Sequence, residues 1–196
     1  IALALTSFSQ EQMGSCSSRK SSKQWQTKSA SLSIAEIAET EKYDVHFYNL
    51  DLNMNNISTY LSGSVEIHAK AKESLDSALI ELFETLIISE VQVNGTNVNY
   101  HRVSNKVTVP VNASPNQNFI IKVSYAGNPP TAQTNPLGGS GLTAGSSPSW
   151  GNKVVWSLSE PFSAYEWYAV KQSLTDKADS CAVAITVPDT CKAGSN

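Results

Sequence analysis

The sequence has 196 residues, 14 of them basic and 17 acidic, for a formal net charge of −3. The basic residues are scattered, which argues against a nucleic-acid or anionic-membrane partner, and no run approaches the ~20 apolar residues of a transmembrane helix. The length suits one β-rich domain with its own core, alone or with a tail.

Ile1 to Ser9 (IALALTSFS) is short and apolar, then gives way to polar residues at Gln10. The pattern is that of the end of a secretory signal h-region, with the small Ser9 at the cleavage position; a short N-terminal strand or helix is the alternative. On this reading residues 1–9 are a signal-peptide remnant and the protein is secreted or periplasmic. Residues 10–32 are rich in Ser, Lys and Gln without apolar periodicity, the signature of a disordered tail. Residues 33–196 form the folded domain. Three cysteines cannot all pair with one another. Cys181 and Cys191 bracket a predicted strand, whose rise of ~3.3 Å per residue carries them beyond disulfide reach. His46, His68 and His101 are isolated, and no spacing suggests a metal site.

Ser33 to Lys42 reads as a short helix, with Ser33 as N-cap, Glu36 completing a capping box, and Ile34, Ile37 and Ala38 on its apolar face. Tyr43 to Met54 is the first strand. Its alternation slips phase at Phe47-Tyr48, which predicts a bulge or a strand shared between two sheets. Leu61 to Ala71 alternates cleanly, with Leu61, Val65, Ile67, Ala69 and Ala71 inward and Ser64, Glu66, His68 and Lys70 toward solvent. Further strands are expected at Ser77–Phe83 and Leu86–Ser89. Val91–Val93 and Val98–Tyr100 should form a hairpin about Asn94-Gly95, and Lys106–Val111 and Asn118–Tyr125 another. Gly127 to Gly151 breaks the pattern as a long loop. Its Gly138-Gly139-Ser140-Gly141 run lacks the lysine and helix of a phosphate cradle. Val154–Leu158 and Ala182–Val187 complete an all-β antiparallel sandwich or saddle with one short helix.

Trp156 to Ser180 (WSLSEPFSAYEWYAVKQSLTDKADS) is the densest stretch of aromatic and acidic side chains. Glu160 is the best single candidate for chemistry: it follows a strand, precedes a proline and sits among aromatics, a setting in which a carboxylate can bind a ligand ammonium group. A solvated turn glutamate is the plainer reading. Glu166, Asp176, Lys177 and Asp179 read as a surface charge cluster. Trp156, Phe162, Trp167 and Tyr168 could stack on a glycan, or be packing residues. No constellation here catalyses a reaction by itself.

Two stretches resemble the N-terminal domain of the aminopeptidase N family of zinc metallopeptidases, the gluzincin aminopeptidases, and in particular its bacterial secreted members. One is Tyr43-Asp44-Val45 through Leu50-Asp51-Leu52, followed by Leu61-Ser62-Gly63-Ser64-Val65. The other runs from Glu160 through an aromatic step to Asp176-Lys177-Ala178 and a strand ending Val187-Pro188. The family's Pro-Cys step stands here as Ala169-Val170. The resemblance implies a non-catalytic β-saddle that covers the active site of a catalytic domain in the same chain, with Glu160 contacting the α-amine of a peptide substrate. It also implies zinc in that other domain, since no His-Glu-x-x-His motif occurs here, so these residues alone should hydrolyse nothing. The rival reading is a free-standing secreted β-sandwich that binds a glycan or a protein.

Overall fold

The computed structural model describes residues 32–130, 140–159, 162–173 and 175–195. The expected signal remnant and most of the expected tail lie outside these residues. The regular structure of the described residues is mostly strand. After helix α1 (Ile34–Glu41) come β1 (Tyr43–Met54), β2 (Leu61–Ala71), β3 (Leu75–Glu81), β4 (Leu86–Val93), β5 (Thr96–Asn97) and β6 (His101–Val103). They are followed by β7 (Lys106–Ala113), β8 (Asn118–Gly127), β9 (Leu142–Ser146), β10 (Lys153–Ser157) and β11 (Ser180–Thr186). The largest sheet has the order β11-β1-β2-β8-β4-β5; β3-β7-β6 form a second sheet and β9-β10 a separate ribbon.

The capping box forms as the sequence predicts. The Ser33 hydroxyl accepts from the Glu36 amide, and the Glu36 carboxylate accepts from the Ser33 amide at 2.6 Å. Glu36 also takes the Lys106 ammonium at 2.8 Å. The apolar face expected for this helix is not buried, however. Ile34 is 89% exposed and Ile37 44%, and the helix rests on Thr40 instead. An eight-residue helix presents only two turns, so one buried contact sets its orientation and the rest of its surface stays outside.

Bulges settle which side chains enter the core. β2 alternates without interruption, and its five expected inward residues are all buried. In β1 the pairing with β2 shifts between Val45 and Phe47. One extra residue reverses the parity of the pleat, so odd-numbered Tyr43 and Val45 and even-numbered Tyr48, Leu50 and Leu52 all point inward. The phase slip predicted from the sequence is therefore real, one residue earlier than the alternation suggests. β4 repeats the device between Ile88 and Glu90, which lets Leu86, Ile88, Val91 and Val93 share one face. β3 does the same between Leu75 and Ser77.

The Asn94-Gly95 turn forms with positive φ at both residues (51° and 80°), though β5 beyond it is only two residues long. The hairpin expected between the next two strands does not form. β7 pairs with β3 and β6, whereas β8 pairs with β2 and β4. The connection between them hooks onto the end of β2, where the Ala71 amide donates to Gln117 and the Asn116 amide donates to Ala71. The chain thus changes sheet at a turn that looks local in sequence. The loop expected over Gly127 to Gly151 contains β9, which pairs antiparallel with β10. β11 lies parallel to β1, with Phe47 beside Ser180 and Asn53 beside Thr186.

Gly63 in β2 has φ +149°, and a Cβ there would lie 2.1 Å from the Asp51 carbonyl oxygen, whereas nothing stands within 4 Å of one at Gly95. Gly63→Ala should therefore destabilise the domain by at least about 1–3 kcal/mol, because backbone must move. Gly95→Ala should cost only the left-handed penalty of about 1–2 kcal/mol. Urea midpoints of the two variants, compared with the parent, check the order.

Candidate functional site

The segment from Ser157 to Ser180 crosses both large sheets, and backbone groups fasten it at each step. The Phe83 amide donates to Tyr165 at 2.8 Å. Val170 and Glu81 exchange amide–carbonyl bonds of 2.8 and 3.0 Å, which adds one bridge to the edge of β3. The Tyr125 hydroxyl donates to the Trp167 carbonyl at 3.0 Å, and the Lys171 amide donates to the Tyr48 hydroxyl at 3.1 Å. Ala169 and Val170 are buried and serve as the apolar plug of this crossing.

Glu160 and Pro161 lie outside the described residues. Their flanks are described. The Ser163 amide donates to the Ser159 carbonyl at 2.8 Å, and the Trp167 indole N–H donates to the Ser159 hydroxyl at 3.0 Å. The four aromatics singled out in the sequence differ in their surroundings. Trp167 and Tyr168 pack edge to face at 4.7 Å, and Tyr168 meets Tyr48 at 6.0 Å, so both are packing residues. Trp156, on β10 and 48% exposed, lines a cleft of about 580 Å³ with Trp167, Asn55, Asn152, Lys153 and Thr190. A second cleft, about 510 Å³, lies beside Phe162, Tyr168, Lys177 and Cys181.

The charge cluster expected at the surface is not one. Glu166 is fully buried, and its carboxylate accepts the Gly141 amide. Gly141 is required there, since a Cβ would lie 2.3 Å from the Ser163 carbonyl oxygen and 2.8 Å from the Glu166 Cβ. The side chain of Asp176 is only 6% exposed and that of Lys171 only 1%, and the two form an ion pair. The Lys171 ammonium also donates to the Tyr43 carbonyl at 2.7 Å and sits 4.6 Å from the centre of the Tyr43 ring. Asp176 accepts the Val45 amide at 3.3 Å. Only Lys177 and Asp179 keep exposed positions. Lys171 was not singled out by the sequence. A lone lysine after an apolar pair with an aspartate five residues on was the one available sign, and it is a weak one.

Burial pulls the Lys171 ammonium below the ordinary lysine range, opposed by its hydrogen bond to Asp176 and that group's charge. Burial alone would raise the Asp176 carboxyl, but the hydrogen bond and charge of Lys171 overcome it and hold the group below its ordinary value. Among the described residues no three His, Cys, Asp or Glu side chains are grouped to hold a metal ion. Cys181 and Cys191 are free thiols.

No family profile and no curated protein matches the chain by sequence. Solved structures do match its fold. The M1 zinc metallopeptidase from Deinococcus radiodurans superposes with a TM-score of 0.61 at 26% identity, over 76% of this chain and 33% of that one. A variant of that enzyme bound to a Tyr-Ser-Ala substrate matches at 25% identity with a TM-score of 0.60, over 75% of this chain and 33% of that one. Leukotriene A4 hydrolase from Saccharomyces cerevisiae shares the fold at 19% identity, with a TM-score of 0.59 over 76% of this chain and 24% of that one. The fold is thus one found within M1 zinc metallopeptidases, and the chain spans about a third of the length of the Deinococcus enzyme.

Two outcomes are expected for the buried pair. Lys171→Met strands a carboxylate in the interior and should cost about 3–5 kcal/mol, with part of that loss regained when Asp176→Leu is added. The measurement is a double-mutant cycle by urea unfolding. Because the folded pKa of Asp176 lies below its unfolded value, its contribution is complete above the unfolded pKa and fades as pH falls through the folded one. Unfolding free energy should therefore fall with pH below about 4 in the parent, and less steeply in Asp176→Asn.

Proposed function

We propose that residues 33–196 are the non-catalytic N-terminal domain of a zinc-dependent aminopeptidase, of the secreted bacterial type, that removes N-terminal residues from peptides. The observation that carries this reading is the match of three quarters of the chain to one third of an M1 zinc metallopeptidase at 26% identity. The catalytic domain is then a partner elsewhere in the same polypeptide, and the metal ligands belong to it. The saddle covers that domain's active site, and Glu160 presents a carboxylate to the substrate's free α-ammonium group. A fixed anion at that place would hold the peptide N-terminus at a set distance from the reacting carbonyl, which is what limits cleavage to the first bond. The bonds that pin Ser159 from Trp167 and Ser163 support this role, because they hold the chain just before Glu160. Export from the cytoplasm rests on the apolar run at Ile1 to Ser9.

A second reading, a secreted glycan-binding module, draws on Trp156 and the cleft beneath it. In that case Trp156→Ala should abolish saturable sugar binding by the chain. The aminopeptidase reading gives none to abolish.

The coding sequence beyond Asn196 tests the first reading directly. An in-frame His-Glu-x-x-His motif supports it, and a stop codon soon after Asn196 removes it. In the complete enzyme, Glu160→Ala deletes one charge-assisted contact of about 1.5–3 kcal/mol. It should lower kcat/KM for peptides with a free N-terminus about 10- to 100-fold, with KM raised and kcat reduced. Unchanged kinetics would remove Glu160 from the site.

A further inference from the structure

Half of the large apolar side chains left exposed among the described residues gather at one end of the fold. Of ten, five belong to two connections: Ile57 and Tyr60 to the turn between β1 and β2, and Trp150, Val154 and Trp156 to the β9-β10 ribbon and its tip. The two connections touch, because the Asn56 side-chain amide donates to the Lys153 carbonyl at 3.3 Å. The other five are spread over α1, β4 and the neighbourhood of β6. The ribbon pairs with neither large sheet, and two strands alone are marginal in water. Four of the five β10 residues are exposed. Trp150, 80% exposed, stands at the tip, which the Ser147 amide closes by donating to the Asn152 carbonyl at 2.7 Å. The Trp156 indole lies against the backbone of Gly145, where an added Cβ would stand 3.0 Å from the ring. The ring is therefore presented as a fixed plate. Gathered apolar surface of this kind marks a contact with another folded surface, and Trp and Tyr are the side chains that anchor such contacts.

We propose that the β9-β10 ribbon and the β1-β2 turn dock against the catalytic domain of the same polypeptide, with Trp150 and Trp156 as the anchors. The proposal rests on the aminopeptidase reading. Two observations name this occupant. The chain spans 33% of the Deinococcus enzyme, so about two thirds of such an enzyme lies outside it. Thr190 to Gly194 line the same cleft as Asn55, Lys153 and Trp156, so on that reading the polypeptide leaves this domain alongside the ribbon. A domain that follows is tethered beside the patch, where its effective concentration is high. The exposure of Trp150 and Ile57 is then that of a surface whose cover lies in the rest of the polypeptide. A glycan would need only Trp156 and the cleft, and would leave that exposure without a reason.

Hydroxyl-radical footprinting read by mass spectrometry, on residues 1–196 and on the complete polypeptide, tests the proposal. Trp150 and Trp156 should be oxidised several-fold more slowly in the complete polypeptide. Trp150→Asp should leave the urea midpoint of residues 1–196 unchanged, because the side chain is exposed there, and should lower that of the same domain within the complete polypeptide. A coding sequence that stops soon after Asn196 removes the aminopeptidase reading and this proposal with it. A catalytic domain that is present while both tryptophans are oxidised as fast as in residues 1–196 overturns the proposal alone. So does protection that appears in residues 1–196 as their concentration rises, which assigns the surface to a second copy, or on addition of oligosaccharides, which assigns it to a glycan.

Discussion

The buried ion pair between Lys171 and Asp176 is the constraint on which the rest of this arrangement depends. Its ammonium group reaches the Tyr43 carbonyl, and its carboxylate reaches the Val45 amide, on either side of Asp44 at the start of β1. One residue further on, β1 bulges. The bulged His46 turns its carbonyl to the Asp179 amide, and from that point β11 runs parallel to β1. The pair thus holds three things together: the beginning of β1, the bulge that re-phases it, and the entry of the last strand.

Such a pair is a weak source of net stability, because two charges have left water to form it. Its value lies in what it excludes. The segment from Lys171 to Asp176 has few apolar side chains with which to choose its place, and a slipped register would leave an ammonium or a carboxylate buried without a partner. The aromatic half of the crossing works by the opposite means. Tyr165, Trp167, Tyr168, Ala169 and Val170 bury apolar surface against both large sheets, and backbone bonds to Phe83 and Glu81 fix their register. Packing places one half of the segment and charge places the other, and the Ser163 amide donates to the Ser159 carbonyl between them and β10.

Much of the scaffold was legible because its signals are local. The capping box, the clean alternation of β2, the phase slip in β1 and the Asn94-Gly95 turn each depend on residues within a few positions of one another. The partnership of β7 and β8 was not legible. A short turn between two strands normally closes a hairpin, and only the pull of the Ala71 end of β2 and the separate edges of β3 and β2 sends the two strands to different sheets. The long loop concealed β9 for a similar reason. Leu142 to Ser146 has no alternation of its own and is a strand only because β10 lies beside it.

For the candidate site, the sequence by itself singled out the stretch to examine, the aromatic and acidic residues from Trp156 to Ser180, with Glu160 as the residue to test. It also determined the all-β class and the resemblance that the solved structures bear out at the level of fold. Tertiary structure alone decided that Glu166 and Asp176 are buried, that Lys171 matters, and that Trp167 packs while Trp156 is presented. The physical reason is that periodicity reports which face of an element is apolar, whereas the burial of a charge depends on a partner supplied from elsewhere. Nothing in the spacing of Asp176 reveals that the Val45 amide, 131 residues away in the chain, will be waiting for it.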